Sequence, residues 1–121
     1  MKLRQNPHNV QVWLERILLT KKQYPNEPEK IIKSFSEAVK TIDPQKATEG
    51  FHTIWITFAQ FYEDFDDLVN ARVIYQKASF INYKDLKSLV EIWTNYAEME
   101  LRHKQFSKAR AVLKDAISML I

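Results

Sequence analysis

The chain has 121 residues, a net charge of +3, 45% hydrophobic and 27% charged residues, one glycine and no cysteine. This composition is that of a globular domain, and it excludes disulfides, thiolate metal sites, cysteine nucleophiles and glycine-rich phosphate loops. No apolar run approaches the roughly 18 residues that a transmembrane helix needs, and the near absence of glycine favours helices over sheets.

Hydrophobic residues in the N-terminal third recur every three or four positions, which marks the buried stripe of an amphipathic helix. The stripe of the first predicted helix comprises Val10, Trp13, Leu14, Ile17 and Leu18. The stripe of the second comprises Ile31, Ile32, Phe35, Ala38 and Val39. Pro28 falls in the first turn of this second helix, where its missing N–H costs nothing.

Two further helix pairs follow with the same kind of stripe. The stripes of the second pair comprise Ile54, Trp55, Phe58, Ala59 and Tyr62, then Leu68, Ala71, Ile74, Tyr75 and Ala78. Those of the third pair comprise Leu86, Leu89, Val90, Trp93, Tyr96, Ala97 and Leu101, then Phe106, Ala109, Val112, Leu113, Ala116, Ile117 and Leu120. Asp85 stands at a typical N-cap position, and the acids of "EDFDD" (63–67) favour the start of the helix that follows. The link "RHKQF" (102–106) carries almost no turn residues, so its position rests on the stripes alone.

One octapeptide occurs nearly twice, as "ARVIYQKA" at 71–78 and "ARAVLKDA" at 109–116. The same shift of 38 residues places Trp55 on Trp93, and a weaker copy aligns Trp13 with both. Self-similarity at such a period is typical of stacked repeats. The sequence therefore predicts an all-α fold, an α-α superhelix (solenoid) of about three antiparallel helix pairs. It forms a single array over 1–121, with repeats at about 9–42, 51–80 and 85–119.

The recurring residues are large aromatics and alanines, which we expect to face one another where two helices approach closely. Stacking platforms for single-stranded RNA instead need exposed aromatics interleaved with basic residues. Because the repeated tryptophans and tyrosines lie on the predicted buried stripes, we expect them to form the core. The aromatics that remain for contact with a partner are Phe51, Phe65, Phe80 and Tyr83.

The repeated positions resemble the half-a-tetratricopeptide (HAT) repeat. Its pattern is tryptophan, an aromatic at +3, alanine at +4 and glutamate at +7, then Ala-Arg-x-x-aromatic-x-x-Ala from +16. The third repeat matches this pattern at Trp93, Tyr96, Ala97, Glu100, Ala109, Arg110, Leu113 and Ala116. The second matches at Trp55, Phe58, Ala59, Ala71, Arg72, Tyr75 and Ala78, with Tyr62 in place of the acid. The first keeps Trp13, Phe35 and Ala38.

A narrower resemblance covers almost the whole chain. The runs "LRQNPHNVQVW" (3–13), "EAVKTIDPQKAT" (37–48), "HTIWITFAQFYED" (52–64) and "MELRH" (99–103) are similar to SYF-type pre-mRNA-splicing factors, also described as XPA-binding proteins. The resemblance implies a nuclear scaffold that holds protein subunits of the spliceosomal nineteen complex, including a Crooked-neck-type HAT protein. It implies no enzymatic activity and no cofactor. Family members are several times longer, so this chain is expected to be an internal fragment.

Polar side chains are expected to support the packing and not to carry chemistry. Arg110 should pair with Glu100, and Arg72 with Glu63, each leaning back to the first helix of its own repeat. His8, His52 and His103 lack the spacing of metal ligands, so we expect structural or surface roles for them and no metal site. No catalytic or cofactor-binding residue is expected.

Two other functions stay open at this point. A tetratricopeptide-like peptide-binding module would carry Lys, Arg and Asn on inner faces that are apolar and alanine-rich here. A HAT protein of another RNA-processing complex with direct RNA contact would need a continuous basic stripe, but basic residues dominate only 1–24 and acidic residues dominate 50–80. RNA contact is therefore not expected to dominate, and no membrane contact is expected. Self-association is expected through uncapped ends at Leu3, Val10, Met119, Leu120 and Ile121.

Overall fold

A computed structural model describes residues 6–120 of the chain, and within this range it contains six α-helices and no strand. The helices are α1 (Val10–Gln23), α2 (Pro28–Thr41), α3 (Phe51–Asp64), α4 (Leu68–Ser79), α5 (Leu86–Arg102) and α6 (Phe106–Leu120). They pack as three consecutive pairs, α1 with α2, α3 with α4 and α5 with α6. The predicted all-α fold is confirmed.

Most helices begin where a short polar side chain satisfies a free backbone N–H. Asn9 accepts a hydrogen bond from the N–H of Val12, Asp67 from that of Asn70, and Asp85 from that of Ser88. Pro28 occupies the first turn of α2. The predicted roles of Asp85 and Pro28 are therefore confirmed, because each terminus has four N–H groups that the helix itself cannot pair.

The turns inside the second and third pairs repeat one backbone geometry. The N–H of Asp67 donates to the Tyr62 carbonyl at 3.0 Å, and 38 residues later the N–H of Gln105 donates to the Glu100 carbonyl at 2.8 Å. Asp66 and Lys104 both take the left-handed conformation, with φ of 59° and 57°. This closure explains how "RHKQF" ends α5 without glycine or proline, since the 6→1 bond of a Schellman motif needs only one left-handed residue.

The core runs through all three pairs and holds most of the predicted stripe residues. Some stripe residues are exposed, against the prediction, because no other described helix covers their side of the helix. These residues are Leu18, Leu86, Val90, Leu101, Phe106, Leu113 and Ile117. The error is largest in α6, where the stripe predicted from sequence is wider than the face that α5 covers.

The pairs follow one another in a row. Helix α3 contacts both helices of the first pair, and α5 contacts both helices of the second pair. We call the contact between the first and second pairs the first junction, and that between the second and third pairs the second junction. Stacking of successive helix pairs in this manner is the arrangement of an α-α solenoid.

Candidate protein-binding surface

Aromatic stacking recurs at both junctions. At the first, the rings of Phe35 and Phe58 stack with centroids 4.8 Å apart and planes 3° from parallel. At the second, Tyr75 and Tyr96 stack at 5.1 Å and 8°. In each case a second helix of one pair supplies the first ring, and the first helix of the next pair supplies the other. The repeated aromatic positions therefore form the contact between successive pairs, and the octapeptide recurs for this reason.

The repeated positions are almost all buried, and the alanines among them lie where the helices meet closely. The buried members are Trp13, Phe35, Ala38, Trp55, Phe58, Ala59, Ala71, Tyr75, Ala78, Trp93, Tyr96, Ala97, Glu100, Ala109 and Ala116. Arg72 is partly buried, whereas Arg110 and Leu113 are exposed. Because the aromatics of these positions pack in the interior, they offer no platform on which bases could stack.

A buried ion pair fastens the second junction. The Arg72 guanidinium donates from Nε and Nη2 to the two carboxylate oxygens of Glu100, at 2.8 and 2.9 Å. The Glu100 side chain is only 1% exposed, and that of Arg72 is 21% exposed. The two hydrogen bonds to Glu100 raise the pKa of Arg72, so the guanidinium stays charged.

Both predicted ion pairs are wrong. Arg72 reaches forward to Glu100 of the next pair, not back to Glu63 of its own. Arg110, which was expected to bind Glu100, is exposed and belongs to no ion pair within residues 6–120. The reason is geometric: the inward side of α4 faces α5, so a long side chain following Ala71 extends across the junction.

Glu63 forms a second polar contact across the same junction. Its carboxylate accepts hydrogen bonds from Nε and Nη2 of Arg102, at 2.9 and 2.7 Å, and its Oε2 lies 2.8 Å from Nε2 of His103. The hydrogen bond from Arg102 is the main reason that the pKa of Glu63 is lowered, and His103 adds to it. These contacts join the C-terminal ends of α3 and α5.

The N-terminal ends of the same helices are also tied together. His52 pairs with Glu91 through Nε2, the Lys84 ammonium donates to the Ala47 carbonyl at 2.6 Å, and Gln45 Nε2 donates to the Asn82 carbonyl at 2.6 Å. Sequence reasoning missed these contacts. Their partners stand 37 to 39 residues apart, about one repeat, so a search for polar pairs at that separation would have found them.

The predicted structural or surface roles of the histidines are consistent with these contacts. His8 accepts a hydrogen bond at Nδ1 from the N–H of Asp43, while the His8 carbonyl accepts one from Thr48. Among residues 6–120, no group of three His, Asp or Glu side chains converges in a way that could hold a metal ion. In the same range, no helix is long and apolar enough to cross a bilayer.

Two of the four aromatics reserved for partners are not available. Phe51 is buried, and Tyr83 is partly buried, donating its hydroxyl to the Ala78 carbonyl at 2.8 Å. Burial also raises the pKa of Tyr83 well above its usual range. Phe65 and Phe80 are exposed, the latter at 77%. Phe65 and Phe80 therefore remain the candidate aromatic contacts.

The exposed ends also differ from expectation. Val10 is buried, since Thr48 and the start of α1 cover it, whereas Met119 is exposed and Leu120 is partly buried. Leu3 and Ile121 lie outside the described residues. Together with Phe106, Leu113 and Ile117, Met119 leaves α6 with the most exposed apolar side chains of the six helices.

Two surface grooves accompany these exposed residues. One of about 580 Å³ lies between the loop before α3 and the loop before α5, and both acidic and basic side chains line it. A smaller one of about 380 Å³ lies over α5, between the C-terminal halves of α4 and α6. Phe80, Trp93 and Met119 line the smaller groove, which makes it the more apolar of the two. Neither groove is lined by the continuous basic surface that nucleic acid requires.

Comparison with known proteins identifies the family. Residues 44–120 match the family described as "Pre-mRNA-splicing factor Syf1/CRNKL1 C-terminal HAT repeat". The chain is 43% identical to human pre-mRNA-splicing factor SYF1 over 117 residues, which is 97% of the chain and 13% of that protein. It is 39% identical to the Drosophila melanogaster syf1 homolog over 117 residues, with the same coverage. It is 39% identical to the splicing factor cwf3 of Schizosaccharomyces pombe over 115 residues, 95% of the chain and 14% of cwf3.

The chain thus spans about an eighth of the length of these relatives. The predicted resemblance to SYF-type splicing factors and the HAT repeat is confirmed, and so is the association with mRNA splicing. With stacked helix pairs, buried aromatic positions and this match in place, the chain belongs to the Syf1/CRNKL1 family of HAT-repeat pre-mRNA-splicing factors.

Proposed function

We propose that the chain is a non-catalytic protein–protein scaffold module of a nuclear splicing factor, holding other subunits of the spliceosomal nineteen complex. A Crooked-neck-type HAT protein is the first partner to test. The observation that carries this proposal is the use of the repeated aromatics: they hold one helix pair on the next and leave a long protein surface exposed. Solenoids bind proteins through surfaces of this kind.

The division of the array into HAT repeats at about 9–42, 51–80 and 85–119 is part of this proposal. Each proposed repeat contains one helix pair, with the Trp of its first helix and the small residues of its second facing each other. Phe65 and Phe80 lie at the ends of α3 and α4, where exposed aromatic side chains can serve as contact residues. The proposal therefore places partner contacts at helix ends and not on the repeated positions.

The test is direct binding with purified components. The chain is immobilised, and a Crooked-neck-type HAT protein is titrated over it beside a single-stranded RNA at ~0.15 M salt. Phe80→Ser is the contact variant, and Thr94→Ser, an exposed position on α5, is the control. We expect saturable protein binding that Phe80→Ser or Phe65→Ser weakens, with RNA binding weaker than about 10 μM.

The contrary outcome is equally definite. Sub-micromolar affinity for RNA that falls steeply with salt, and that is lost in Lys22→Glu with Lys33→Glu, would favour RNA binding over the scaffold. Both lysines are exposed, so these changes leave the core intact. Lys21 is unsuitable for this purpose because its ammonium lies over the rings of Phe35 and Phe61.

Self-association of the isolated chain is a further part of the proposal. The exposed apolar side chains of α6 include Leu113 and Ile117 and can be covered by another molecule at high concentration. Analytical ultracentrifugation tests this, with Ile117→Asp as the variant that should remove any dimer. A strict monomer at all concentrations would contradict self-association and leave the scaffold proposal intact.

A further inference from the structure

One side of α6 is exposed although it repeats a covered side of α4. We name it the α6 face, and it consists of Phe106, Arg110, Leu113 and Ile117. At 3.6 residues per turn these four positions fall within an arc of about 60°. All four are exposed, so the α6 face is a narrow apolar strip with one arginine in it.

Each residue of the α6 face stands 38 positions after a residue of α4 that the third helix pair covers. Tyr75 is 0% exposed, whereas the corresponding Leu113 is 50% exposed. Ser79 is 3% exposed, whereas Ile117 is 59% exposed. The same helix face is thus covered at the second junction and uncovered in α6, and the covering helix of α4 shows what the α6 face can accept.

Helix α5 covers α4 through two side chains on one of its faces. Tyr96 stacks on Tyr75, and Glu100 binds Arg72 through two hydrogen bonds. An aromatic residue and a carboxylate four residues later lie on the same side of a helix. Arg110 and Leu113 of the α6 face have the spacing of Arg72 and Tyr75, but neither has a counterpart of Tyr96 or Glu100 among residues 6–120.

We propose that the α6 face is a docking site for an α-helix of a partner protein that carries an aromatic residue and, four residues later, a glutamate or aspartate. The aromatic ring packs on Leu113 and Ile117, and the carboxylate binds the Arg110 guanidinium. The site continues an interface that the chain already forms once, at the second junction. This surface and the chemistry of its ligand go beyond the scaffold role proposed above and do not depend on the nineteen complex.

A second copy of the chain is a poorer occupant than such a partner. Its free helix for a head-to-tail contact is α1, where the position three after Trp13 is Arg16 and the position seven after it is Thr20. Arg16 is exposed and pairs only loosely, at 3.5 Å, with Glu37. A head-to-tail copy would bring Arg16 toward Arg110 and supply no carboxylate, and like charges at an interface oppose association.

The experiment uses the full chain and a defined probe. The probe is a fluorescent peptide with the sequence of α5, residues 86–102, held helical by a side-chain cross-link because free helices of this length are marginal in water. Fluorescence anisotropy measures its affinity for the chain. Arg110→Glu is the test variant, and Lys108→Glu is the matched control, since Lys108 is exposed and lies about 200° around α6 from Arg110.

We expect Arg110→Glu to weaken peptide binding about tenfold or more, and Lys108→Glu to change it less than about twofold. A peptide with arginine in place of the glutamate that matches Glu100 should bind the wild type poorly and recover to within about threefold on Arg110→Glu. Arg110→Met is a second variant that removes the charge without reversing it, and it should also weaken the unmodified peptide.

Three outcomes would overturn the proposal. One is an absence of saturable binding up to about 1 mM peptide. Another is equal loss in Arg110→Glu and Lys108→Glu, which would indicate general charge attraction. The third is a dimer of the chain that Ile117→Asp abolishes and the peptide fails to displace, because the occupant would then be a second copy. Failure of this test leaves binding of the Crooked-neck-type protein to be judged separately, since that assay depends on Phe65 and Phe80.

Discussion

No hydrogen bond or ion pair joins residues 10–41 to residues 51–79 at the first junction, whereas the second junction has several. The first is held by stacked rings, Phe35 on Phe58, with Phe61 6.0 Å from Phe35. The second adds Arg72 with Glu100, Glu63 with Arg102, and His52 with Glu91 to the stack of Tyr75 on Tyr96. The comparison teaches that one packing geometry can be stabilised by apolar contact alone or by apolar contact with ion pairs, and the two should respond differently to salt and acid.

The largest effect is expected at the first junction. Phe35 is fully buried, so Phe35→Ala should lower the free energy of unfolding by about 3–5 kcal/mol through lost burial and the cavity left behind. Urea denaturation at low and high salt measures it, and the loss should be the same at both. A loss that shrank strongly with salt would contradict a purely apolar first junction.

Arg72→Met should be next, lowering the free energy of unfolding by about 3 kcal/mol because it leaves the Glu100 carboxylate buried without its partner. The matched control is Arg110→Met, which should stay within about 0.5 kcal/mol of wild type. A double-mutant cycle of Arg72→Met with Glu100→Gln should give a coupling energy of at least about 1.5 kcal/mol. Coupling of Glu100 to Arg110 in its place would restore the pairing first predicted from sequence.

Acid should loosen the second junction through Glu63. Its pKa in the folded chain lies below the ordinary 4.5, mainly because Arg102 donates to the carboxylate. A lowered pKa contributes stability above the ordinary value, and that stability is lost as the pH falls through the folded value. Wild type should therefore lose more unfolding free energy between about pH 5 and pH 3 than Glu63→Gln does. Parallel pH curves for the two proteins would count against this role of Glu63.

Lys21→Met should have the smallest effect. The Lys21 ammonium lies 5.6 Å from the ring centroid of Phe35 and 5.8 Å from that of Phe61, so it spans the first junction. Loss of this cation–π contact should lower the free energy of unfolding by about 0.5–1 kcal/mol. Lys22→Met is the control, because Lys22 is exposed and should be neutral. Equal values for the two variants would exclude Lys21 from the junction.

The fold was predictable from the sequence because packing of large against small residues leaves a periodic record. Trp55 and Trp93 recur 38 residues apart, and both are buried where the stripes placed them. Ala71 and Ala109 are buried for the same reason. Residue type and spacing alone are enough to show which side of each helix faces inward.

The polar contacts were not predictable in the same way. Glu63 stands in the same pair as Arg72, but it faces Arg102 of the next pair, and this direction is set by how one pair is rotated on the other. Leu113 matches Tyr75 in sequence and differs from it in exposure, because burial depends on a neighbouring helix and not on the residue itself. Sequence periodicity does not contain either quantity.

The polar contacts of the second junction also have a mechanical consequence. Glu63 with Arg102 ties the C-terminal ends of α3 and α5, and His52 with Glu91 ties their N-terminal halves. Two bodies fastened at both ends of a shared edge resist twisting as well as bending, whereas stacked flat rings can slide and rotate at little cost. An arch built from such pairs would flex unevenly, with the first junction acting as its compliant segment and the second as its stiff one.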